Sequence, residues 1–246
     1  ITVADVIAPG YKAFHRGVGA NNVWVAPEHT LEGYRVAMAM GAQVIDLDVA
    51  VTADGVVVCH HDTSLLRTTG VDANVADYPF AMLRPVDQRS VVGAGWGSQR
   101  IPTLEEVVAE FGGRVILNCE PKDDSSVPAL LDLITGYGLE RSVIINAGND
   151  SVVAAASAAG VYAHRWGIAS TGNVDTAVAA GASILEIPYA SLGSTLVNYA
   201  LAKKGTGNVE HVICGPIQRR YERDAALAFN VDGFISDSPG YLDATP

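Results

Sequence analysis

The chain has 246 residues, 49% of them hydrophobic, and a formal net charge of −11 from 16 basic and 27 acidic side chains. That length suits a single α/β barrel and allows a substantial core. The acidic balance argues against nucleic acid or an anionic membrane surface as the main partner, although a metal ion and a few basic groups can reverse the field locally for an anionic small molecule.

No apolar run reaches the ~20 residues of a membrane-spanning helix, so a soluble protein without a transmembrane segment is expected. The opening ITVADVIAPG carries no Met, basic region or apolar signal core. It reads equally as a mature secreted chain or as a domain of a longer protein, which leaves a cytoplasmic and an extracytoplasmic location both open. Nothing in the sequence speaks to oligomeric state. Cys59, Cys119 and Cys214 each sit in an apolar run without ligand-like spacing. They are expected to be free buried thiols.

In chain order, β-branched runs fall at 12–15, 44–49, 115–119, 143–147, 161–165, 184–188, 210–215 and 233–236. Helical stretches fall at 30–40, 104–111, 127–136, 150–159, 173–180, 191–203 and 219–229. Thr103 ahead of LEEVVAEF, with Glu106 three positions on, is a capping box. Gly160 and Gly181 fall where helices should stop. Strands alternating with helices imply parallel pairing, and eight of them in this length favour a closed (βα)8 TIM barrel of the α/β class, one domain over 1–246. Residues 63–101 break the rhythm. They hold no convincing βα unit and are punctuated by Gly70, Pro79, Pro85, Gly93, Gly95 and Gly97. A segment of that kind is expected to be an insertion after the second strand that covers the histidines preceding it.

The chemistry concentrates in VIDLDVAVTADGVVVCHHD, residues 44–62. Alternation sends Asp46 and Asp48 to one face of the second strand, and Asp54-Gly55 predicts a hairpin that brings His60 or His61 back towards them. Two carboxylates and an imidazole at the C-terminal end of a barrel strand make a hard-metal site with an acid–base beside it. The first strand ends in His15 and Arg16, and the third ends in NCEPK with Glu120 and Lys122. These independent strands deliver their polar groups to one mouth.

HRG, APEHTLEGYRVAMAMGA, IDLDVAVTADGVVVCHHD, LLRTTG, IPTLEEV, LNCEPK and VDGFISDSP occur in that order from about residue 12 to 239. Together they resemble the glycerophosphodiester phosphodiesterase family. The resemblance implies a metal-dependent enzyme on a (βα)8 barrel that hydrolyses a small-molecule glycerophosphodiester to glycerol 3-phosphate and an alcohol. It implies His15 and His61 as the catalytic pair, with His61 preferred over His60. It implies Asp46, Asp48 and Glu120 as ligands of a divalent metal, Mg²⁺ or Ca²⁺. Arg16 and Lys122 would lie near the phosphate, and Glu28 would be a supporting site residue.

Some positions depart from the family pattern. Asp46 stands where Glu is usual, which shortens one ligand, and His29 stands where the motif carries Asn. Trp24, Trp96, Tyr78, Phe80 and Trp166 read either as packing or as substrate wall, and Glu186 and His164 as pocket or barrel core. Two other functions compete. One is cleavage of larger lipids of the lysophospholipase D or sphingomyelinase D type, disfavoured by the lack of an apolar docking helix in the insertion. The other is a degenerate barrel that binds glycerolphosphate polymers, disfavoured by the presence of both histidines and all three carboxylates.

Overall fold

Period-two alternation of apolar residues builds the strands, and each stands within two residues of its expected place. The computed structural model describes residues 1–6, 11–18, 25–88, 94–237 and 242; Trp24 lies outside them. Among the described residues the strands are β1 (Tyr11–His15), β2 (Val44–Val51), β3 (Val57–Cys59), β4 (Ile116–Pro121), β5 (Val143–Ala147), β6 (Tyr162–Arg165), β7 (Ile184–Pro188), β8 (His211–Gly215) and β9 (Gly233–Ser236). The sheet runs β1-β9-β8-β7-β6-β5-β4-β2, and β1 also pairs with β2, so the cylinder closes. Every pairing in that ring is parallel. The expected (βα)8 barrel is the observed architecture. Only β3 is antiparallel, hung on β2 by the predicted hairpin, whose Gly55 takes a left-handed φ of 83°.

The helices are α1 (Val3–Val6), α2 (Leu31–Ala39), α3 (Leu66–Thr69), α4 (Phe80–Leu83), α5 (Leu104–Phe111), α6 (Val127–Gly136), α7 (Asp150–Ala158), α8 (Thr171–Ala180), α9 (Ser194–Leu201) and α10 (Arg220–Leu227). The longer ones clothe the barrel. Outward-facing Ile45, Leu47 and Val49 of β2 share one buried cluster with Tyr34 of α2 and with Leu104 and Phe111 of α5. Inside, Val44, Ile116, Ile144, Ile184, Ile213 and Ile235 form a second apolar cluster with Val3 and Val6 of α1. Val44, Ile116 and Ile184 open their strands and Ile144 is second in its own, so the N-terminal end of the barrel is filled with hydrocarbon. Two residues further along the same faces stand Asp46, Asn118, Asn146 and Glu186, all buried. The barrel interior therefore turns from apolar to polar towards its C-terminal mouth.

The segment 63–101 carries α3, α4 and its own small apolar cluster of Leu65, Val75, Leu83 and Ile101, which packs on Ala50 and Val58 of the hairpin. Tyr78 and Phe80 pack against that cluster, so they serve packing and not the mouth. Thr103 ends the segment with a bridge to Val58 and opens α5 as a complete capping box with Glu106. No described helix is long and apolar enough to cross a membrane. All three cysteines are free and buried, as expected. Thr103→Ala removes the cap at this junction and is expected to lower the unfolding free energy by about 1 kcal/mol, read from urea denaturation.

Candidate active site

His15, Asp46, Asp48, His61, Glu120 and Lys122 line one cleft of about 320 Å³ at the C-terminal mouth, together with Asn146, Trp166, Glu186, Pro216 and Ile235. Register explains the meeting of the acids: Asp46 pairs with Asn118 across β2–β4, and Asp48 pairs with Glu120. Across β1–β2, His15 stands opposite Asp46. Its Nε2 is 3.9 Å from Asp46 Oδ2, while its Nδ1 lies 2.5 Å from Asp237 Oδ1. A carboxylate only accepts, so Nδ1 holds the proton in that contact and Nε2 is the nitrogen left for the cleft. Burial opposes a charge on His15, but the Asp237 hydrogen bond and the nearby Asp46 outweigh it and raise the pKa.

His61 follows the hairpin. Its Nδ1 contacts Asp62 Oδ1 at 2.6 Å, and its ring is 30% exposed. Burial lowers its pKa, against the opposing pull of Asp48 and Asp62. His60 is fully buried, with Nε2 3.3 Å from the Ser64 carbonyl. The strand alternation thus sends His60 into the packing and His61 to the mouth.

The three carboxylates differ in their surroundings. Asp48 accepts from His29 Nε2 at 2.8 Å and from Lys122 Nζ at 3.0 Å. Burial works against its charge, but these partners hold its pKa well below the usual carboxylate range. Asp46 has only amide donors, Asn118 at 2.6 Å and Asn146 at 3.4 Å. Burial, with Asp48 and Glu120 adding repulsion against the pull of His15, pushes its pKa up to about 7. Glu120 is raised by burial and by Asp48, and accepts from Lys122 at 3.0 Å. Asn118 thus holds Asp46 Oδ1, while Oδ2 lies on the His15 side of the cleft.

Arg16 and Glu28 stand behind the cleft rather than on its wall. Glu28 is buried with both oxygens held by Arg67, at 2.9 and 2.6 Å, and with Arg16 at 3.4 Å. Arg16, at a left-handed φ of 55°, turns back so that its Nε lies 3.6 Å from Asp48 Oδ2. Its placement supports Asp48 and Glu28 more directly than a ligand in the cleft. Several partners escape the sequence reading: Asp237, Asp62, Arg67, Asn118 and the His29–Tyr34 pair, whose Nδ1 and hydroxyl are 3.0 Å apart. For Asp237 a signal existed, since it ends the last strand motif at the rim where sites form.

The donor set suits a hard divalent cation. It offers carboxylate oxygens without thiolates, and burial, then the neighbouring acids, raises Asp46 and Glu120. Among the described residues no three acidic, His or Cys side chains already form a metal cluster, and the Lys122 ammonium lies between Asp48 and Glu120.

The profile of the glycerophosphoryl diester phosphodiesterase family matches residues 15–135, the span that carries His15, Glu28, Asp46, Asp48, His61, Glu120 and Lys122. A glycerophosphodiester phosphodiesterase of Caldanaerobacter subterraneus subsp. tengcongensis is 33% identical over 141 residues, 55% of this chain and 56% of that protein. Over that span the chain is similar to this family. Another relative, a lysophospholipase D of Mus musculus, is 29% identical over 147 residues, 56% of this chain and 45% of that protein. The chain spans about half the length of the curated relatives it matches. The barrel fold itself is shared along almost the whole chain. An Oleispira antarctica phosphodiesterase solved with the product sn-glycerol-3-phosphate superposes with a TM-score of 0.82 at 22% identity, covering 97% of each chain.

His29→Ala would leave buried Asp48 without its 2.8 Å donor. It is expected to lower the unfolding free energy by about 2 kcal/mol, the scale of a hydrogen bond to a charged group, in a chemical denaturation series.

Proposed function

We propose that the protein hydrolyses glycerophosphodiesters to glycerol 3-phosphate and an alcohol, using His15 and His61 for proton transfer and a divalent metal ion, Mg²⁺ or Ca²⁺. The observation that carries this reading is the meeting of two imidazoles, three carboxylates and Lys122 around one cleft, six groups that all fall in the span similar to this family. Asp46, Asp48 and Glu120 would hold the ion. When bound, it would neutralise the phosphate oxygens and make phosphorus more open to attack.

The protein's own groups supply the rest. Asp237 keeps the proton on His15 Nδ1 and favours the imidazolium, which suits His15 to protonate the departing alkoxide from Nε2. His61, turned by Asp62 and pushed towards its neutral form, suits taking the proton from the attacking oxygen, whether of water or of the substrate's own glycerol. An ammonium has three donors. Two of those on Lys122 go to Asp48 and Glu120, which leaves one for a non-bridging phosphate oxygen. Arg16 adds positive field from behind Asp48.

Release of glycerol 3-phosphate from glycerophosphocholine, glycerophosphoethanolamine and glycerophosphoglycerol tests this, with EDTA, Mg²⁺ or Ca²⁺. Turnover should need the metal, and His61→Ala should lose ~10²–10⁴-fold in kcat, the usual worth of a general acid–base. The mouse relative's name supports a second reading on lysophospholipids. Choline release from lysophosphatidylcholine without turnover of the deacylated diesters would select it. No turnover of any diester with any metal, but retained binding of polyglycerolphosphate by a His15→Ala/His61→Ala double variant, would select the polymer-binding module.

A further inference from the structure

One wall of the cleft is left unused by these roles. Glu186 of β7 and Asn146 of β5 face inward above the apolar layer, 7% and 4% exposed. Asn146 turns its amide nitrogen to Asp46, and its Oδ1 has no hydrogen-bond partner. His164, fully buried on β6 between them, puts Nε2 2.9 Å from Glu186 Oε2. That contact is too oblique for a hydrogen bond, since neither ring nitrogen of His164 has a partner. The other carboxylate oxygen lies over Gly215, where a Cβ would come within 2.8 Å of Oε1 and 3.2 Å of Ile235 Cβ. Gly215 has no left-handed φ, so glycine there keeps space for the carboxylate. At the rim above, Trp166 is seated on Gly148, where a Cβ would overlap the indole at 2.5 Å.

Glu186 thus offers only acceptors to the cleft floor, and Asn146 adds its unpartnered Oδ1. Buried acceptors left unmade are costly, so the wall fits a ligand that brings O–H or N–H groups. An anionic phosphate would be repelled by Glu186. On the reading given above, the part of the substrate shared by all its members is the glycerol end, which carries two free hydroxyls. The variable alcohol has to project from the mouth. We infer that Glu186 and Asn146 bind the free glycerol hydroxyls, and that this wall selects deacylated glycerophosphodiesters over acylated lysophospholipids. An ester oxygen has no proton to donate to Glu186, and its acyl chain has no route past the hydrocarbon floor. The inference rests on the proposed substrate class, but its test does not require turnover.

The test is calorimetric binding of sn-glycerol 3-phosphate and of n-propyl phosphate, which has the same anionic group without the hydroxyls. Parallel kcat/KM values for glycerophosphocholine and lysophosphatidylcholine complete it. The wild-type protein should prefer glycerol 3-phosphate by at least ~10²-fold, within the range that polar pockets reach by hydrogen bonding a substrate hydroxyl. Glu186→Ala should remove most of that preference while changing n-propyl phosphate affinity by less than about threefold. Glu186→Gln, which keeps one acceptor, should fall between and guards against a folding defect. Loss of preference without diester turnover would uphold the wall and sink the proposed reaction. Turnover with the preference intact in Glu186→Ala would do the reverse. A wild-type protein that binds both phosphates alike also overturns the inference. So does a Glu186→Ala variant that loses only the cationic diesters and keeps glycerophosphoglycerol.

Discussion

Pairing of β1 with β2 closes the cylinder and sets His15 opposite Asp46. The mouth depends on that single register. A slip of one residue would turn every side chain of β1 to the other face, sending the imidazole into the helix-packed shell and Phe14 into the cleft. The same alternation that hides Ile45, Leu47 and Val49 under α2 and α5 brings Asp46 and Asp48 inward, so packing outside the barrel and chemistry inside it come from one constraint.

Placing so many acids in a low-dielectric mouth is tolerable only because cations are threaded among them. Lys122 joins Glu120 to Asp48, Arg16 lies between Asp48 and Glu28, and Arg67 ties Glu28 to Asp62. Removing one member of such a buried chain leaves an unpaired charge, which costs far more than the pair contributes. Asp46 instead takes amide donors and lies 3.9 Å from His15 Nε2, and burial with its acidic neighbours pushes its pKa up to about 7.

Much of this is legible in the sequence. Strands and helices show as periodicity, and the Asp54-Gly55 turn shows as a dipeptide, because each is encoded within a few neighbouring residues. The rim positions of His15, Glu120 and Lys122 follow from strand ends. What fixes their state does not follow. Asp237 reaches His15 across 222 positions, and Arg67 reaches Glu28 across 39. Such pairs exist only once the barrel has closed. His29 looks like a departure from a motif, yet in space it is the buried donor that holds Asp48. Arg16 reads as a phosphate neighbour, and in space the left-handed turn after β1 also sets its Nε 3.6 Å from Asp48. The polar floor of Asn118, Asn146 and Glu186 hides in strands that otherwise read as hydrocarbon.

The apolar layer that Val3 and Val6 complete with the early residues of the strands also bears on how the proposed reaction would release its products. A barrel sealed at that end keeps its cleft at the other, so the two fragments of the proposed reaction would share one exit. The fragment nearer the opening would depart first, and the one seated on the floor would wait for it. Release would then be ordered by depth, and the last product out would compete directly with incoming substrate.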